Sequence, residues 1–538
     1  MNNSWWMGAV IHCIVCCFII GCHSGSAKKP NVLFIMTDQQ PLSCVGVYGN
    51  NQIRTPNIDH LGTGGIILDN FYIAAFPCSP SRASLLSGRY LHNHNVFTNN
   101  VLMDSTISGL GHLLSDANYH TGYFGKAHLS GSMYVGRTDG DGVDYMHDHT
   151  PPDPIGKEIT EYWHYEQIEG DSGWLVERKE GGLGEDFPQL GFEEWAGGWR
   201  QYKDWLISKG QSSYARTAGN HDALQSAPEG EHMYSKLGSE YHMANFFTQK
   251  TKQFIRDHHQ SKRPWAAVLS YFGPHLPVAP PPPWDTIHSL NDIELPANLQ
   301  DNLQGKPRSQ KRTELQYVLG QWNNEQYKDY IRRYWGYCGY IDDRIGQVFE
   351  ALKQTGQWDN TIIVFTSDHG DMLTSHGMIF KLGSNAYEEL FHVPAIVRLP
   401  NDQYRNRRIS DLVSSIDLLP TILDAADLEL PQQIDGKSII PLLKREAEKH
   451  RDALFAEIHS QGHQGKIIMC RTQKYKYVYH WLSDDVDELY DLEIDPGELN
   501  NLWADAAHQD IVIEMKNQIS QWARQTGHRY ADLISTKK

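Results

Sequence analysis

Three uninterrupted apolar runs, each ending in ionisable residues, constrain this chain more than any other feature. Residues 31–36 lead into Thr37-Asp38, residues 265–270 into Gly273-Pro274-His275, and residues 361–366 into Ser367-Asp368-His369-Gly370. A run without polar alternation reads as a strand covered on both faces, which is the condition of an α/β sheet. Ionisable residues at the carboxyl ends of such strands lie where open α/β sheets bind their ligands. Helices are expected between the runs. Residues 327–352 carry Tyr334, Tyr337, Tyr340, Ile341, Ile345, Val348 and Phe349 at helical spacing, and residues 417–426 read as another helix.

The pattern changes after Pro431. Residues 453–492 offer short alternating segments separated by turns, and residues 511–522 read as an amphipathic helix. The expected architecture is therefore α/β: a large mixed sheet sandwiched by helices over residues 30–430, then a smaller antiparallel sheet plus helix over residues 431–538. Residues 150–240 are rich in glycine and in tryptophan (Trp163, Trp174, Trp195, Trp199, Trp205) and show no clear period. They read as an insertion that decorates the site and stays out of the sheet.

The apolar stretch 8–21 is short for a bilayer span and sits where the core of an export signal would sit. It ends Ile19-Ile20-Gly21-Cys22, which resembles a bacterial lipobox, although no Lys or Arg precedes the stretch. The expectation is a signal peptide over 1–22, lipidation of Cys22, a tether over 23–29, and an exported protein at the periplasm or cell surface whose membrane contact is that lipid anchor. Four of the 8 cysteines belong to this leader, leaving Cys44, Cys78, Cys338 and Cys470, far apart and without metal-type spacing. A disulfide framework is not expected. With 48 Lys+Arg against 65 Asp+Glu the formal charge is −17, which argues against a nucleic-acid partner. A polyanionic substrate needs a local basic pocket set against that field.

The sharpest local signal is Cys78-Ser79-Pro80-Ser81-Arg82 followed by Ala83-Ser84-Leu85-Leu86-Ser87-Gly88-Arg89, a helix start with proline in its first turn. A cysteine there is either a thiolate nucleophile or a small buried residue, and the residue alone does not choose. The wider pattern does. Cys78-x-Pro80-x-Arg82 with the sequence that follows resembles the signature of the type I sulfatases of the alkaline-phosphatase-like superfamily. Thr37-Asp38-Gln39, Thr55-Pro56-Asn57-Ile58-Asp59, Gly125-Lys126-Ala127-His128, Gly273-Pro274-His275, Ser367-Asp368-His369-Gly370, Lys381 and Tyr387-Glu388-Glu389 fall in family order along nearly the whole mature chain.

The resemblance implies a sulfate ester hydrolase in which Cys78 is oxidised to Cα-formylglycine (3-oxoalanine), whose hydrate is the nucleophile. It implies a separate maturation enzyme, either formylglycine-generating or anaerobic. It also implies one Ca²⁺ held by Asp38, Gln39, residue 78, Asp368 and His369, oxygen donors suiting that ion and His369 adding a nitrogen. Lys126, His275 and Lys381 match positions around the sulfate, Arg82 would orient the hydrate, His275 would protonate the leaving oxygen, and His128 would take the hydrate proton. The substrate class this suggests is a sulfated polysaccharide or its oligosaccharides, with the five tryptophans above and His92 and His94 as candidate glycan contacts. A phosphonate monoester or phosphodiester hydrolase of the same superfamily is the alternative. A catalytically silent glycan-binding lipoprotein is disfavoured, because Cys78, the lysines and the carboxylates are all present.

Overall fold

The computed structural model describes residues 28–536 except 100–102, 105, 130–132, 136–162, 168–173, 179–189, 198, 212–223, 228–229, 236–237, 312–318, 382–384, 460–465 and 483–484. The apolar stretch 8–21, Cys22 and most of the 150–240 insertion lie outside the described residues. Eight strands form the large sheet: β1 (Asn31–Asp38), β2 (Ile66–Tyr72), β3 (His120–Gly125), β4 (Glu194–Ala196), β5 (Trp265–Pro274), β6 (Thr361–Ser367), β7 (Ala395–Arg398) and β8 (Arg407–Ser414). Their spatial order is β8-β2-β7-β6-β1-β5-β3-β4. Only β7 runs antiparallel to its neighbours, so the sheet is mixed.

Alternate residues of β1 enter two different cores. Val32, Phe34 and Met36 join one; Leu33 and Ile35 join the other. That is why β1 reads as a continuous apolar run: both of its faces are buried. Helix α1 (Pro56–Gly64), α3 (Met243–Asp257) and α4 (Asn324–Gln354) cover one face, contributing Leu61, Phe254, Tyr340, Ile345 and Val348 among others. Helix α2 (Cys78–Ser87) and α5 (Leu418–Ala425) lie on the other face, with Leu85, Leu86, Leu419 and Ile422. The start of α4 is fixed by a reciprocal cap. Asn323 Oδ1 accepts from the Glu325 and Gln326 amides at 3.0 Å each, and Gln326 Oε1 accepts from the Asn323 amide at 2.8 Å.

The smaller sheet holds four consecutive antiparallel strands, Leu454–His459, Lys466–Arg471, Tyr475–Tyr479 and Glu488–Asp491. Helix α6 (Gln509–Gln525) buries Met515, Ile519 and Trp522 against it. A fifth strand, Ala75–Phe76, adds in parallel, pairing Ala75 with Glu457 and Phe76 with Ile458. The smaller sheet thus anchors the chain two residues before Cys78.

The insertion reading needs correction. Glu194–Ala196 is a strand of the large sheet, and Leu190 and Phe192 are buried in its core. Trp195 and Trp205 are partly buried and pack against the two cores, which gives each a structural part in the fold. The side chains of Trp163, Trp174 and Trp199 lie outside the described residues. Cys44, Cys78, Cys338 and Cys470 are free and buried, and no described helix is long and apolar enough to cross a membrane.

Candidate active site

Four adjacent strands, β6-β1-β5-β3, run parallel, and each delivers polar residues at its carboxyl end. From β6 come Asp368 and His369, from β1 Asp38 and Gln39, from β5 His275, and from β3 Lys126 and His128. Helix α2 points its first residue, Cys78, into this edge and sets Arg82 one turn further on. Lys381 arrives on the segment that follows β6. Every residue named as a candidate from the catalytic motifs is therefore brought to one place.

Arg82 is the hub. Its guanidinium is fully buried and donates from Nε to Asp368 Oδ2 at 2.7 Å and from Nη2 to Asp38 Oδ2 at 3.2 Å. Its Nη1 donates to the Lys126 carbonyl at 2.6 Å and to Ser270 Oγ at 2.8 Å. A planar, always-charged fork suits two carboxylates that would otherwise repel. Lys126 Nζ also donates to Asp38 Oδ2. Burial pushes the Asp38 carboxyl up, but Lys126, His275, Lys381 and Arg82 outweigh it and hold the group well below the usual carboxylate range.

Position 78 is built to carry negative charge. Lys381 Nζ donates to Cys78 Sγ, and His369 Nε2 lies 3.2 Å from the same sulfur. Burial raises the thiol, yet Lys126 and Lys381 bring it well below its ordinary value despite Asp38. His128, half-buried, interacts with Cys78 as well, and burial and Lys126 hold its ring below the ordinary imidazole value. Ser79 Oγ donates to the His128 carbonyl, tying that residue to the first turn of α2.

One ligand atom each from Asp38, Cys78, Asp368 and His369 lie within 4.8 Å of one another. Two further observations fit a cation here. Asp38 Oδ1 and Gln39 Oε1 are buried without a hydrogen-bond partner, an arrangement that costs about 1–3 kcal/mol per group unless something fills it. The His369 ring bonds through Nδ1 to the Gly370 carbonyl at 2.8 Å, which leaves Nε2 with its lone pair. Besides the Cys78 sulfur, the donors are oxygens of Asp38, Gln39 and Asp368 with one nitrogen from His369, and the oxygens suit a hard divalent ion.

Motif reading missed two residues. Asp371 accepts from the Gln39 side-chain amide, and so turns the Gln39 oxygen toward the cluster; it also accepts from the Leu373 amide at 2.7 Å. Its signal was its place directly after Ser367-Asp368-His369-Gly370. Ser270 accepts from Arg82 and donates to the Lys126 carbonyl at 2.7 Å; it is the hydroxyl that closes the apolar run 265–270. The reading of His92 and His94 as glycan contacts is overturned. His92 is buried against Glu457 (Nδ1 to Oε2, 2.7 Å) and His94 against Ser84 (2.9 Å), so both brace α2 and the smaller sheet.

Phe272, His275 and Phe380 are partly exposed beside the cluster, with the His275 and Phe380 rings edge to face at 5.3 Å. Burial and Lys381 press the His275 ring down to about 3, so it is neutral in the resting site. Its Nδ1 hydrogen goes to the Leu276 carbonyl at 2.7 Å.

The family model described as Sulfatase matches residues 30–428, and that described as N-sulphoglucosamine sulphohydrolase, C-terminal, matches residues 377–525. The chain is 28% identical to an uncharacterized sulfatase, YidJ, of Escherichia coli, over 91% of this chain and 86% of that protein. It is 27% identical to an N-acetylglucosamine-6-O-sulfatase of Bacteroides thetaiotaomicron, over 94% and 87%. A phosphonate monoester hydrolase of Agrobacterium radiobacter has a similar fold (TM-score 0.70, 24% identity, 92% and 96% covered). With the large mixed sheet, the smaller sheet and the site residues in one cluster, the chain belongs to the sulfatase family, has the alkaline-phosphatase-like fold and is a sulfuric ester hydrolase.

Proposed function

We propose that the substrate is a sulfated glycan of glycosaminoglycan type, and that hydrolysis uses a formylglycine hydrate made from Cys78 together with one Ca²⁺. The observation that carries this reading is the convergence of Lys126, Lys381 and His369 on position 78, where negative charge is stabilised. A relative that acts on N-acetylglucosamine 6-O-sulfate supports the glycan class. The hydrate supplies an oxygen nucleophile, and Asp38, Gln39, Asp368 and His369 would hold the ion, which supplies positive charge to the sulfuryl oxygens.

Each residue then has a physical task. Lys126 and Lys381 bind the sulfuryl oxygens and stabilise charge that grows there during S–O cleavage. Arg82 holds the two carboxylates in register and is a positioning residue, since its hydrogen bonds go to Asp38, Asp368, the Lys126 carbonyl and Ser270. His275 is the general acid for the leaving alcohol. The resting ring is neutral, and an anionic sulfuryl group beside it offsets the lysines and favours protonation on binding. His128 takes the hydrate proton, its free-base form favoured by burial and by Lys126. Export and lipid attachment through Cys22 belong to the same reading. Replacing Cys22 with serine then moves the protein from the membrane pellet to the soluble fraction, and pellet association unchanged by that substitution removes the anchor.

The deciding assay is sulfate release from depolymerised sulfated glycans by enzyme co-produced with a formylglycine-generating enzyme. Phosphonate monoester and phosphodiester substrates run in parallel. Sulfate from a glycan, with phosphonate turnover far lower, is the expected result; preferential phosphonate or phosphodiester cleavage overturns it. Two further outcomes follow. Chelation of divalent cations should lower activity by at least about tenfold and lower Tm, with Ca²⁺ restoring both better than Mg²⁺, because oxygen ligands from several loops suit the larger ion. Recovery by Mg²⁺ alone would show the ion assignment to be wrong. His275→Ala should cost about 10²–10⁴ on a sugar sulfate but far less on an activated aryl sulfate, whose leaving group needs no proton. Equal losses on both would remove the general-acid role.

A further inference from the structure

Beyond β6, the segment 371–381 carries Lys381 into the catalytic edge on an unusual backbone. Leu373, Thr374, His376 and Phe380 have left-handed φ angles of 42°, 76°, 55° and 68°. That region crowds the side chain of any residue but glycine, and a bulky one most. The surroundings hold the segment there. The His376 ring is buried, with Nδ1 2.7 Å from Asp301 Oδ2 and its plane stacked on Tyr387 at 3.8 Å, and the His376 amide donates to the Asn298 carbonyl at 3.1 Å. The Phe380 amide donates to Asp371 Oδ1 at 3.2 Å, and its carbonyl accepts from the Met372 amide at 3.0 Å. Asp371 also accepts from the Gln39 side chain, so one carboxylate sets both Gln39 and Phe380.

A large apolar residue is ordinarily held by a core. Phe272, the ring beside Lys126, is held in that way: it packs on the core under α3 and stacks on Phe247 at 5.9 Å. Phe380 belongs to none of the four hydrophobic clusters formed by the described residues, and it is partly exposed. Its ring meets the site. The centroid lies 5.3 Å from Lys381 Nζ and 5.3 Å from the His275 ring, with the two ring planes at 88°. Lys381 in turn reaches position 78. An aromatic residue kept in a costly backbone conformation, outside every core and touching both the lysine and His275, is placed for a ligand and not for the fold.

We infer that Phe380 is a specificity-determining residue, its ring being the platform on which the ring of the leaving alcohol packs next to His275. A pyranose offers a C–H face that suits an aromatic surface, and an aryl ring suits it equally. An acyclic alcohol gains nothing there. The inference rests on the function proposed above only in taking the leaving group to be a sugar. The platform adds binding without touching the reacting atoms, so it acts on KM and leaves kcat to the cluster.

The test compares the full-length enzyme with Phe380→Asn and Phe380→Tyr, each co-produced with a formylglycine-generating enzyme. Asparagine adopts the left-handed backbone readily and removes the ring, whereas tyrosine keeps it. The substrates are a 6-O-sulfated heparin disaccharide, 4-nitrophenyl sulfate and 4-nitrophenyl phenylphosphonate, and inorganic sulfate serves as an inhibitor without a ring. Expected in Phe380→Asn is a KM raised about tenfold on the ring ester that is turned over, with kcat within about twofold and Tm unchanged or higher. Phe380→Tyr should restore KM, and the Ki of inorganic sulfate should be the same in all three proteins. An unchanged KM in Phe380→Asn overturns the platform. A Ki rising in step with KM, or a lower Tm, would show that the ring supports Lys381 or the fold, and overturns it too. The two readings fail separately. Sulfate release from the disaccharide with KM unchanged overturns the platform alone, and a raised KM on the phosphonate ester with no sulfate released overturns the glycan reading alone.

Discussion

Cys78→Ala abolishes turnover and leaves the fold in place. The loss should reach at least about 10⁴ in kcat, because the lysines, His275 and any bound ion remain but have no nucleophile to act with. The structural cost is small. Residue 78 is fully buried, a thiol is exchanged for a methyl, and the expected penalty is about 1 kcal/mol. The charge balance also survives, since Lys381 keeps Asp38 Oδ1 at 3.9 Å and His369 Nε2 at 3.0 Å. Cys78→Ser separates two explanations. A serine hydroxyl is a conventional nucleophile, so activity comparable to wild type in Cys78→Ser would show that no aldehyde is required. Mass analysis of the peptide spanning residue 78 reports conversion directly. Full activity in Cys78→Ala would sink the nucleophile assignment.

The carboxyl-end pattern of the sheet could be read from sequence because burial on both faces leaves an unbroken apolar signature, as in β1, β5 and β6. What sequence could not give was the order of the strands or the antiparallel β7, which depend on long-range pairing. It also missed β4 and the strand Ala75–Phe76, which have three and two residues and too little pattern to register. The motif residues Asp38, Gln39, Cys78, Arg82, Lys126, His128, His275, Asp368, His369 and Lys381 do converge. Errors arose where a residue's partner lies far along the chain. His92 looked available for a ligand because Glu457, which binds it, is remote in sequence. Ser270 and Asp371 went unnoticed for the converse reason: neither residue type is distinctive, and each matters only through Arg82 or Gln39. Arg82 positions the carboxylates and did carry a motif signal, whereas Ser270 and Asp371 position their partners without one.

Arg82→Met tests that positioning role, because methionine fills much of the same volume without the charge. Removing the guanidinium leaves Asp38 and Asp368 buried with Lys126 as their nearest fixed cation. Breaking a buried ion pair from one side costs about 3–5 kcal/mol, since the remaining charge is uncompensated. Tm should fall by roughly 3–5 °C, and activity should fall by at least about 10³ because the carboxylates no longer hold their register. The sign with pH follows. Asp38 is held below its unfolded value in the native protein, so its contribution to stability is present above the unfolded pKa and is lost as pH falls through the folded one. In Arg82→Met the two carboxylates repel, one of them protonates more readily, and the deficit against wild type shrinks on acidification below about pH 5. Added Ca²⁺ should also narrow the deficit at neutral pH, because a cation between Asp38 and Asp368 does electrostatically what the guanidinium did. A deficit that responds to acid but not to Ca²⁺ would mean the carboxylates are paired for structure only, and would remove them from the proposed metal set while leaving Arg82 as their organiser.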